Sequence, residues 1–212
     1  MCGRFNSHIT TLDGWSTVLE TWPDVQGAYN VAPTANISAF RKGAGEKMRW
    51  GLVPDWAESF ETTYSTFNAR IETVAEKPSF KSAWNKAQRC LIPMAGYYEW
   101  QGEKGNKQPY YVTDRFAGGL VMAGLYESWK LGGFLSCTIL TKPADEAMSE
   151  LHSRMPLLLS PDNAKDWLNC SDNLDIDEVA NLARPKLSFY KVGKMVNKAE
   201  IDNPNLIEPL RV

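Results

Sequence analysis

The sequence has few of the side chains that build metal centres. It contains only two histidines, His8 and His152, and its four cysteines form no Cys-x-x-Cys pair. Zinc modules need closely spaced sulfur and nitrogen ligands. We therefore expect no metal site. Cys90 and Cys137 lie in apolar, strand-like runs, where cysteines are usually buried and inert.

The sequence also lacks long apolar runs and an excess of basic residues. No window approaches the ~18 apolar residues of a membrane helix, and the first residues do not resemble a signal peptide. We expect a cytoplasmic protein with no membrane partner. Lys and Arg total 23 against 25 Asp and Glu, a net charge of -2. Nucleic-acid-binding domains often carry a basic balance, so any phosphate contact must come from a local patch.

The distribution of β-branched and aromatic residues predicts a strand-rich centre. At 212 residues, the chain suits a single domain over 2–212. Glycine turns separate predicted strands, and periodicity and proline positions predict short helices. The predicted strands cover 37–42, 47–53, 89–93, 96–101, 108–113, 119–129, 134–141 and 155–159, and the predicted helices 11–20, 78–84, 143–150, 161–168 and 175–183. This pattern predicts an α+β fold with a mostly antiparallel, β-barrel-like core and short surrounding helices.

Cys2 stands directly after Met1 and could become a terminal residue with two nucleophiles. An α-amine titrates near pH 7.7–8.0 and a thiol near about 8.5, so both groups are available close to neutrality. The amine can condense with an aldehyde to an imine, and the thiol can then close a thiazolidine ring. A terminal cysteine is more often simply frayed and exposed. Position alone therefore does not decide the role of Cys2.

Three other polar residues lie in unusual surroundings. Glu99 stands among aromatic residues, where desolvation would raise its pKa toward the range of proton transfer, although strand alternation could equally turn it toward water. His152 follows a predicted helix and could act from a loop or be a structural histidine. Asn68 could bind a ligand or cap the local backbone.

Six motifs in order resemble the SRAP (SOS response-associated peptidase) family of abasic-site processing proteins. They run from residue 2 to residue 156 and read CGRF, YNVAP, RWGLVPDW, NARIET, RCLIPMAGYYEW and HSRMP. Six ordered motifs are far more specific than one short pattern. The resemblance implies an SRAP-like fold and no metal or organic cofactor.

The same resemblance implies covalent capture of abasic sites in single-stranded DNA, with the protein as a monomer. After Met1 is removed, the Cys2 amine would attack the sugar aldehyde and the thiol would close a thiazolidine. Glu99 matches the acidic residue that moves protons, His152 the histidine near the sugar hydroxyl, and Asn68 the asparagine that orients Cys2. The partner is single-stranded DNA with an abasic site, including sites at single-strand to double-strand junctions.

The family motifs also assign a DNA groove. Its arginines would hold phosphates, and Trp50 would stack on a base beside the lesion. For each of these residues, an ordinary structural role remains the alternative. The predicted DNA-binding residues are Arg4, Asn30, Pro33, Trp50, Gly51, Arg70 and Arg154.

The family name further implies a peptidase activity that removes Met1, and an imine intermediate would permit a minor strand-lyase activity. Two other functions remain open. Glutamine amidotransferases of the N-terminal nucleophile class also begin Met-Cys-Gly, and their thiolate attacks an amide. A non-catalytic single-stranded DNA-binding module would use Trp50 and the arginines but leave Glu99 and His152 without a role.

Overall fold

The computed structural model describes residues 2–10, 12–42, 44–61, 65–103, 105–116, 118–170, 179 and 185–211. These residues form strands and short helices in alternation. The strands are β1 (Arg4–Asn6), β2 (Asn36–Arg41), β3 (Ala44–Trp50), β4 (Asn68–Arg70), β5 (Arg89–Met94), β6 (Gly96–Gln101), β7 (Gln108–Asp114), β8 (Leu120–Ser128), β9 (Leu135–Pro143), β10 (Arg154–Pro156) and β11 (Leu187–Lys191). The α-helices are α1 (Pro78–Asn85), α2 (Glu146–Ser149) and α3 (Pro161–Asn169).

Five strands close into a barrel. The order β9-β3-β2-β5-β8 returns to β9 because β8 and β9 are also paired. β3 runs parallel to β9, and the other barrel pairings are antiparallel. Two further strands pair with the part of β9 that lies beyond the barrel. β4 runs parallel to β9, and β10 runs antiparallel to it. The predicted α+β fold with a mostly antiparallel, barrel-like core is confirmed.

A second sheet packs against this barrel. Its order is β1-β6-β7-β11, and every pairing in it is antiparallel. Phe5 of β1 lies opposite Tyr97 of β6, and both join the main core cluster with barrel residues such as Met48 and Ile92. The start of the chain is thereby held against the barrel.

The barrel strand β5 is buried on both faces. Along β5, Cys90 and Ile92 belong to one core cluster, while Leu91 between them packs with α1 and α3 in another. Such strands read as continuous apolar runs because neither face meets water. Pro78 begins α1, and the Ser160 hydroxyl caps α3 by accepting a hydrogen bond from Asn163 N.

The predicted helix over 11–20 is wrong over its described residues. Residues 12–20 form turns in which Trp15 and Leu19 still reach the core. Gly14 has φ of +80°, in the left-handed region, and this conformation interrupts an α-helix. The apolar spacing predicted which side chains are buried but not the backbone that buries them.

The remaining helix predictions fared differently. The helix predicted over 143–150 shortens to α2, whose N-cap is Asp145. A helix over 175–183 lies outside the described residues except for Val179, which is helical. β11 was not predicted, and the tail beyond it contains two short 3-10 helices, Lys194–Asn197 and Pro204–Ile207.

None of the helices in the described ranges is long and apolar enough to cross a bilayer. A single domain over 2–212 stays a prediction.

Gly14→Ala tests the turn assigned to residues 12–20. A left-handed alanine costs about 1–2 kcal/mol, whereas the same change inside a helix would stabilise the protein by about 1 kcal/mol. The nearest atom to an added Cβ is Pro161 Cγ at 3.8 Å, so a clash does not complicate the result. We expect urea unfolding to show destabilisation, with Ser16→Ala nearly neutral. A stabilised Gly14→Ala variant would contradict the turn.

Candidate active site

Cys2 is completely buried where the chain enters β1. Asn68 Nδ2 donates a hydrogen bond of 2.7 Å to the Cys2 carbonyl oxygen. The Cys2 thiol points toward the Arg4 carbonyl oxygen at 3.8 Å. Burial raises the pKa of the Cys2 thiol, and the nearby charge of Glu99 raises it further. In this state the thiol holds its proton at neutral pH.

Asn68 is itself held by its neighbours at the start of β4. The indole Nε1 of Trp50 donates to the Phe67 carbonyl oxygen at 2.9 Å, immediately before Asn68. The Trp50 ring also packs edge-on against Phe5 and Phe67, with centroids 5.0 and 5.8 Å away. The Asn68 Oδ1 atom is buried and has no hydrogen-bond partner within the described part of the chain. This acceptor is therefore available to a ligand.

Trp50 lies in the core rather than on the surface. None of its surface is exposed. A base cannot stack on the Trp50 ring in this conformation, because the ring is buried. The structure therefore does not provide the predicted stacking surface at Trp50. The structure instead gives Trp50 a supporting role, because it joins β1 to the segment that carries Asn68.

Glu99 is buried on β6, with 4% of its surface exposed. Its Oε1 accepts a hydrogen bond of 3.3 Å from the Trp100 backbone N–H. Strand alternation does not turn Glu99 toward water, because its side chain lies on the same face of β6 as the buried Tyr97. The carboxylate lies within electrostatic reach of the Cys2 thiol. A proton-transfer group thus lies beside the candidate nucleophile.

Tyr97 is a site residue that the sequence analysis missed. It stands two residues before Glu99, and period-two alternation places both side chains on the same face of β6. Its hydroxyl is buried and makes no hydrogen bond with any described residue. The two-residue spacing between Tyr97 and Glu99 is visible in the sequence, but a tyrosine in an aromatic run is most simply read as a core residue. Only the structure shows that its hydroxyl makes no hydrogen bond with a described residue.

His152 lies between α2 and β10 and is half-buried. Its ring Nδ1 accepts a hydrogen bond of 3.0 Å from the Arg154 backbone N–H. The neighbouring Met148 and Leu151 belong to the same core cluster as Cys2. The fold therefore brings the His152 segment to the Cys2 end of the molecule and fixes one ring nitrogen.

Two predicted arginines gather around Glu72. Arg154 makes two hydrogen bonds of 3.0 Å to the Glu72 carboxylate and one of 2.7 Å to the Thr141 carbonyl oxygen. Burial raises the pKa of Glu72, but the hydrogen bonds and the charges of Arg154 and Arg70 outweigh it and lower the pKa overall. Arg70 is exposed. The two guanidinium groups form a local basic patch beside β4.

The predicted DNA-binding residue Asn30 is engaged by the protein itself. It is 5% exposed, and its Nδ2 donates to the carbonyl oxygens of Val196, Lys198 and Ile201. Its Oδ1 accepts from Arg4 Nη1 at 3.4 Å. Asn30 therefore attaches the C-terminal tail and supports Arg4.

Pro33 and Gly51 lie close together. The Thr34 N–H donates to the Trp50 carbonyl oxygen at 2.7 Å, which places the Pro33 turn beside Gly51. Gly51 is buried with φ of +127°. Arg49 Nη1 lies 2.7 Å from the position of an added Cβ, so a larger side chain there would be strained and crowded.

Two cavities formed by described residues lie away from Cys2. Two cavities of about 460 and 430 Å³ flank His8, and neither is lined by Cys2, Asn68, Glu99 or His152. We place the candidate site at Cys2 because the buried polar groups converge there. Among the residues that the structure describes, no three His, Cys, Asp or Glu side chains group as a metal would require. The absence of a cofactor stays a prediction.

Comparison with known proteins gives consistent results. The family model "SOS response associated peptidase (SRAP)" matches residues 1–199. The chain is 34% identical over 228 residues to the abasic site processing protein YoqW of Bacillus subtilis, covering 98% of this chain and 99% of that protein. It is 32% identical over 193 residues to the abasic site processing protein HMCES of Gallus gallus, covering 78% of this chain and 57% of that protein.

A solved structure shares the fold. A crystal structure of a Bordetella bronchiseptica protein matches with a TM-score of 0.77 and 23% identity, covering 91% of this chain and all of that chain. At this identity, the match supports the fold alone.

Asn30→Ala tests the attachment of the tail. The change removes the donor to three tail carbonyl groups, so we expect faster amide hydrogen exchange over 194–207 than in the unchanged protein. Asn205→Ala, in the same tail, is the control, and it should not loosen 194–197. Unchanged exchange in Asn30→Ala would contradict this role.

Stability should fall in alkaline solution. Burial raises the pKa of Cys2, Cys90 and Cys137 in the folded protein. Above the ordinary thiol pKa of about 8.5, the unfolded chain loses protons that the folded chain keeps. Each thiol therefore lowers the free energy of unfolding by up to about 1.4 kcal/mol per pH unit. Urea unfolding between pH 7 and 10 measures the slope.

Cys90→Ala is the matched variant for this slope. It should be less stable at pH 7 because it leaves a cavity, but its stability should fall less steeply above pH 9. A slope equal to that of the unchanged protein would contradict the titration of a buried Cys90.

Proposed function

Because the chain belongs to the SOS response associated peptidase family, whose model matches residues 1–199, we propose that it captures abasic sites in single-stranded DNA by covalent attachment to Cys2. The observation that carries this proposal is the position of Cys2. A residue that begins a chain is usually frayed, but Cys2 is buried, held by Asn68 and placed beside Glu99.

The proposed reaction has three steps. Cleavage of the Met1–Cys2 peptide bond frees the Cys2 amine. The amine attacks the aldehyde carbon of the ring-opened sugar, and loss of water leaves an imine. The thiol sulfur then bonds to the same carbon while its proton passes to nitrogen, and a thiazolidine results. No oxidant or cofactor is needed.

The neighbouring residues have distinct parts in these steps. Asn68 holds the Cys2 carbonyl group through Nδ2, and its buried Oδ1 can accept a hydrogen bond from the new amine. Glu99 accepts and returns protons as water leaves, a role that typically contributes about 10²–10⁴-fold to a rate. His152 assists opening of the sugar ring from the other side of the site.

Arg70 is exposed and suits a DNA phosphate, whereas Arg154 would exchange its contacts with Glu72 for a phosphate. Arg4, which lies against the C-terminal tail, is the third proposed phosphate contact. The affinity would then depend on salt, with a slope of about -0.7 per phosphate for single strands. We propose that Asn30, Pro33, Trp50 and Gly51 shape this groove, Trp50 from within the core. Single-stranded DNA, including junctions with duplex, is the proposed partner. One chain supplies every residue named here, which fits action as a monomer.

Two further activities follow from the same chemistry. The protein would remove Met1 itself, with the Glu99 carboxylate as the group that transfers protons. The imine also permits β-elimination at the sugar if the thiol closes the ring slowly, so a minor lyase activity would accompany capture.

Intact-protein mass spectrometry with an abasic oligonucleotide tests the proposal. We expect a species equal to the Met1-free protein plus the oligonucleotide minus one water. Cys2→Ala can form only an imine with the same loss of one water, and water hydrolyses this imine because no sulfur closes the ring, so we expect no adduct of the variant to survive acidic denaturation before the measurement. An oligonucleotide without the abasic site is the control for passive binding.

Two outcomes would contradict covalent capture. An unmodified but Met1-free protein that hydrolyses glutamine would favour the amidotransferase alternative. Salt-sensitive binding that is equal in Cys2→Ala, with no adduct in either protein, would favour a non-catalytic single-stranded DNA-binding module.

A further inference from the structure

The Tyr97 hydroxyl is a buried polar group for which the fold supplies no hydrogen bond. The side chain is 1% exposed, and its oxygen has no partner among the described residues. Leaving a buried hydroxyl unsatisfied is unfavourable. Phenylalanine would fill the same volume without that cost. A retained hydroxyl in such a place therefore needs an explanation.

The position of Tyr97 supplies one. Tyr97 and Glu99 share a face of β6, and Tyr97 packs in the same core cluster as Cys2. Asp145, the N-cap of α2, also lies within electrostatic reach of the hydroxyl. The α2 segment leads to His152. The hydroxyl is thus near the nucleophile, the carboxylate and the start of the segment that carries the histidine.

The protonation state of Tyr97 suits a donor. Burial raises the pKa of its hydroxyl well above the ordinary value, and the nearby Cys2 and Glu99 raise it further. The hydroxyl is therefore protonated throughout the neutral range. It can donate a hydrogen bond, and it cannot act as a base.

We propose that Tyr97 is a further catalytic residue, whose hydroxyl donates a hydrogen bond to the aldehyde oxygen of the substrate at Cys2; this inference rests on the proposed function. The carbon that bonds to the Cys2 nitrogen and sulfur must lie against Cys2, so its oxygen lies there too. As the C–N bond forms, the C=O π bond breaks and its electron pair moves onto oxygen. A buried donor in place before the reaction stabilises that charge. The oxygen then takes up two protons, both given up by the attacking amine, and leaves as water while the C=N bond forms.

The adjacent Tyr98 provides a matched control. It is equally buried, but its side chain lies on the opposite face of β6, and its hydroxyl donates to the Tyr29 carbonyl oxygen at 2.8 Å. Tyr97→Phe removes a hydroxyl that has no hydrogen-bond partner among the described residues, whereas Tyr98→Phe removes one that has a partner. The two substitutions remove the same group, but we expect the first to slow the reaction and the second to destabilise the fold.

The experiment measures the single-turnover rate of adduct formation and the melting temperature of each Met1-free variant. The probes are an abasic oligonucleotide and glycolaldehyde, a small aldehyde that needs no DNA groove. We expect Tyr97→Phe to react on the order of 10²-fold more slowly with both probes, at an equal ratio from pH 6 to 8, and to melt no lower than the unchanged protein. Tyr98→Phe should melt lower and react at the unchanged rate.

Each contrary result has a definite meaning. An unchanged rate for Tyr97→Phe, in a protein whose unsubstituted form makes the adduct, would overturn the inference and leave the proposed function intact. Slowing with the oligonucleotide alone would also overturn it, because the hydroxyl would then act on DNA placement. Absence of any adduct with the unsubstituted protein would overturn both.

Discussion

The hydrogen bond from Asn68 to the Cys2 carbonyl oxygen is the constraint on which the site depends. The first residues of a chain are usually poorly ordered unless other parts of the protein hold them. Here β1 pairs with β6, and Asn68 holds Cys2, two residues before β1 begins. Trp50 in turn holds the Phe67 carbonyl group, so the position of Cys2 is set by the barrel core.

The burial of Cys2 also determines the order in which its amine and its thiol would react. Burial and the charge of Glu99 keep the thiol protonated, and a protonated thiol is a weak nucleophile. In the proposed reaction the amine therefore reacts first, and the thiol follows once the imine carbon is next to it. The proton on sulfur makes the thiol a weak nucleophile at first. In the proposed ring closure this proton passes to the imine nitrogen as sulfur bonds to carbon. A low thiol pKa, which helps many cysteine enzymes, would not help this sequence of steps.

The sequence predicted the strands and the identity of the family well because those signals are local. β6 begins and ends at the predicted residues, and α3 begins at Pro161 as predicted. Residues 12–20 were predicted wrongly because one left-handed glycine outweighs a helical pattern of apolar residues. β11 was missed because its pairing with β7 is non-local.

The site was less predictable than the fold. Motifs marked Cys2, Glu99 and Asn68, but only the three-dimensional structure shows that Asn68 binds Cys2 and that Glu99 is buried. The burial of Trp50 follows from the packing of Phe5 and Phe67 around its ring, which no local pattern specifies. Tyr97 was identified because its buried hydroxyl has no hydrogen-bond partner among the described residues, and a sequence cannot show hydrogen bonds.

A crystal structure of the protein after reaction with an abasic oligonucleotide would test this account most directly. The account predicts that the nitrogen and sulfur of Cys2 are bonded to one sugar carbon, in a ring that contacts Asn68 and Glu99. Attachment through a lysine, or through sulfur alone with Met1 still in place, would contradict it.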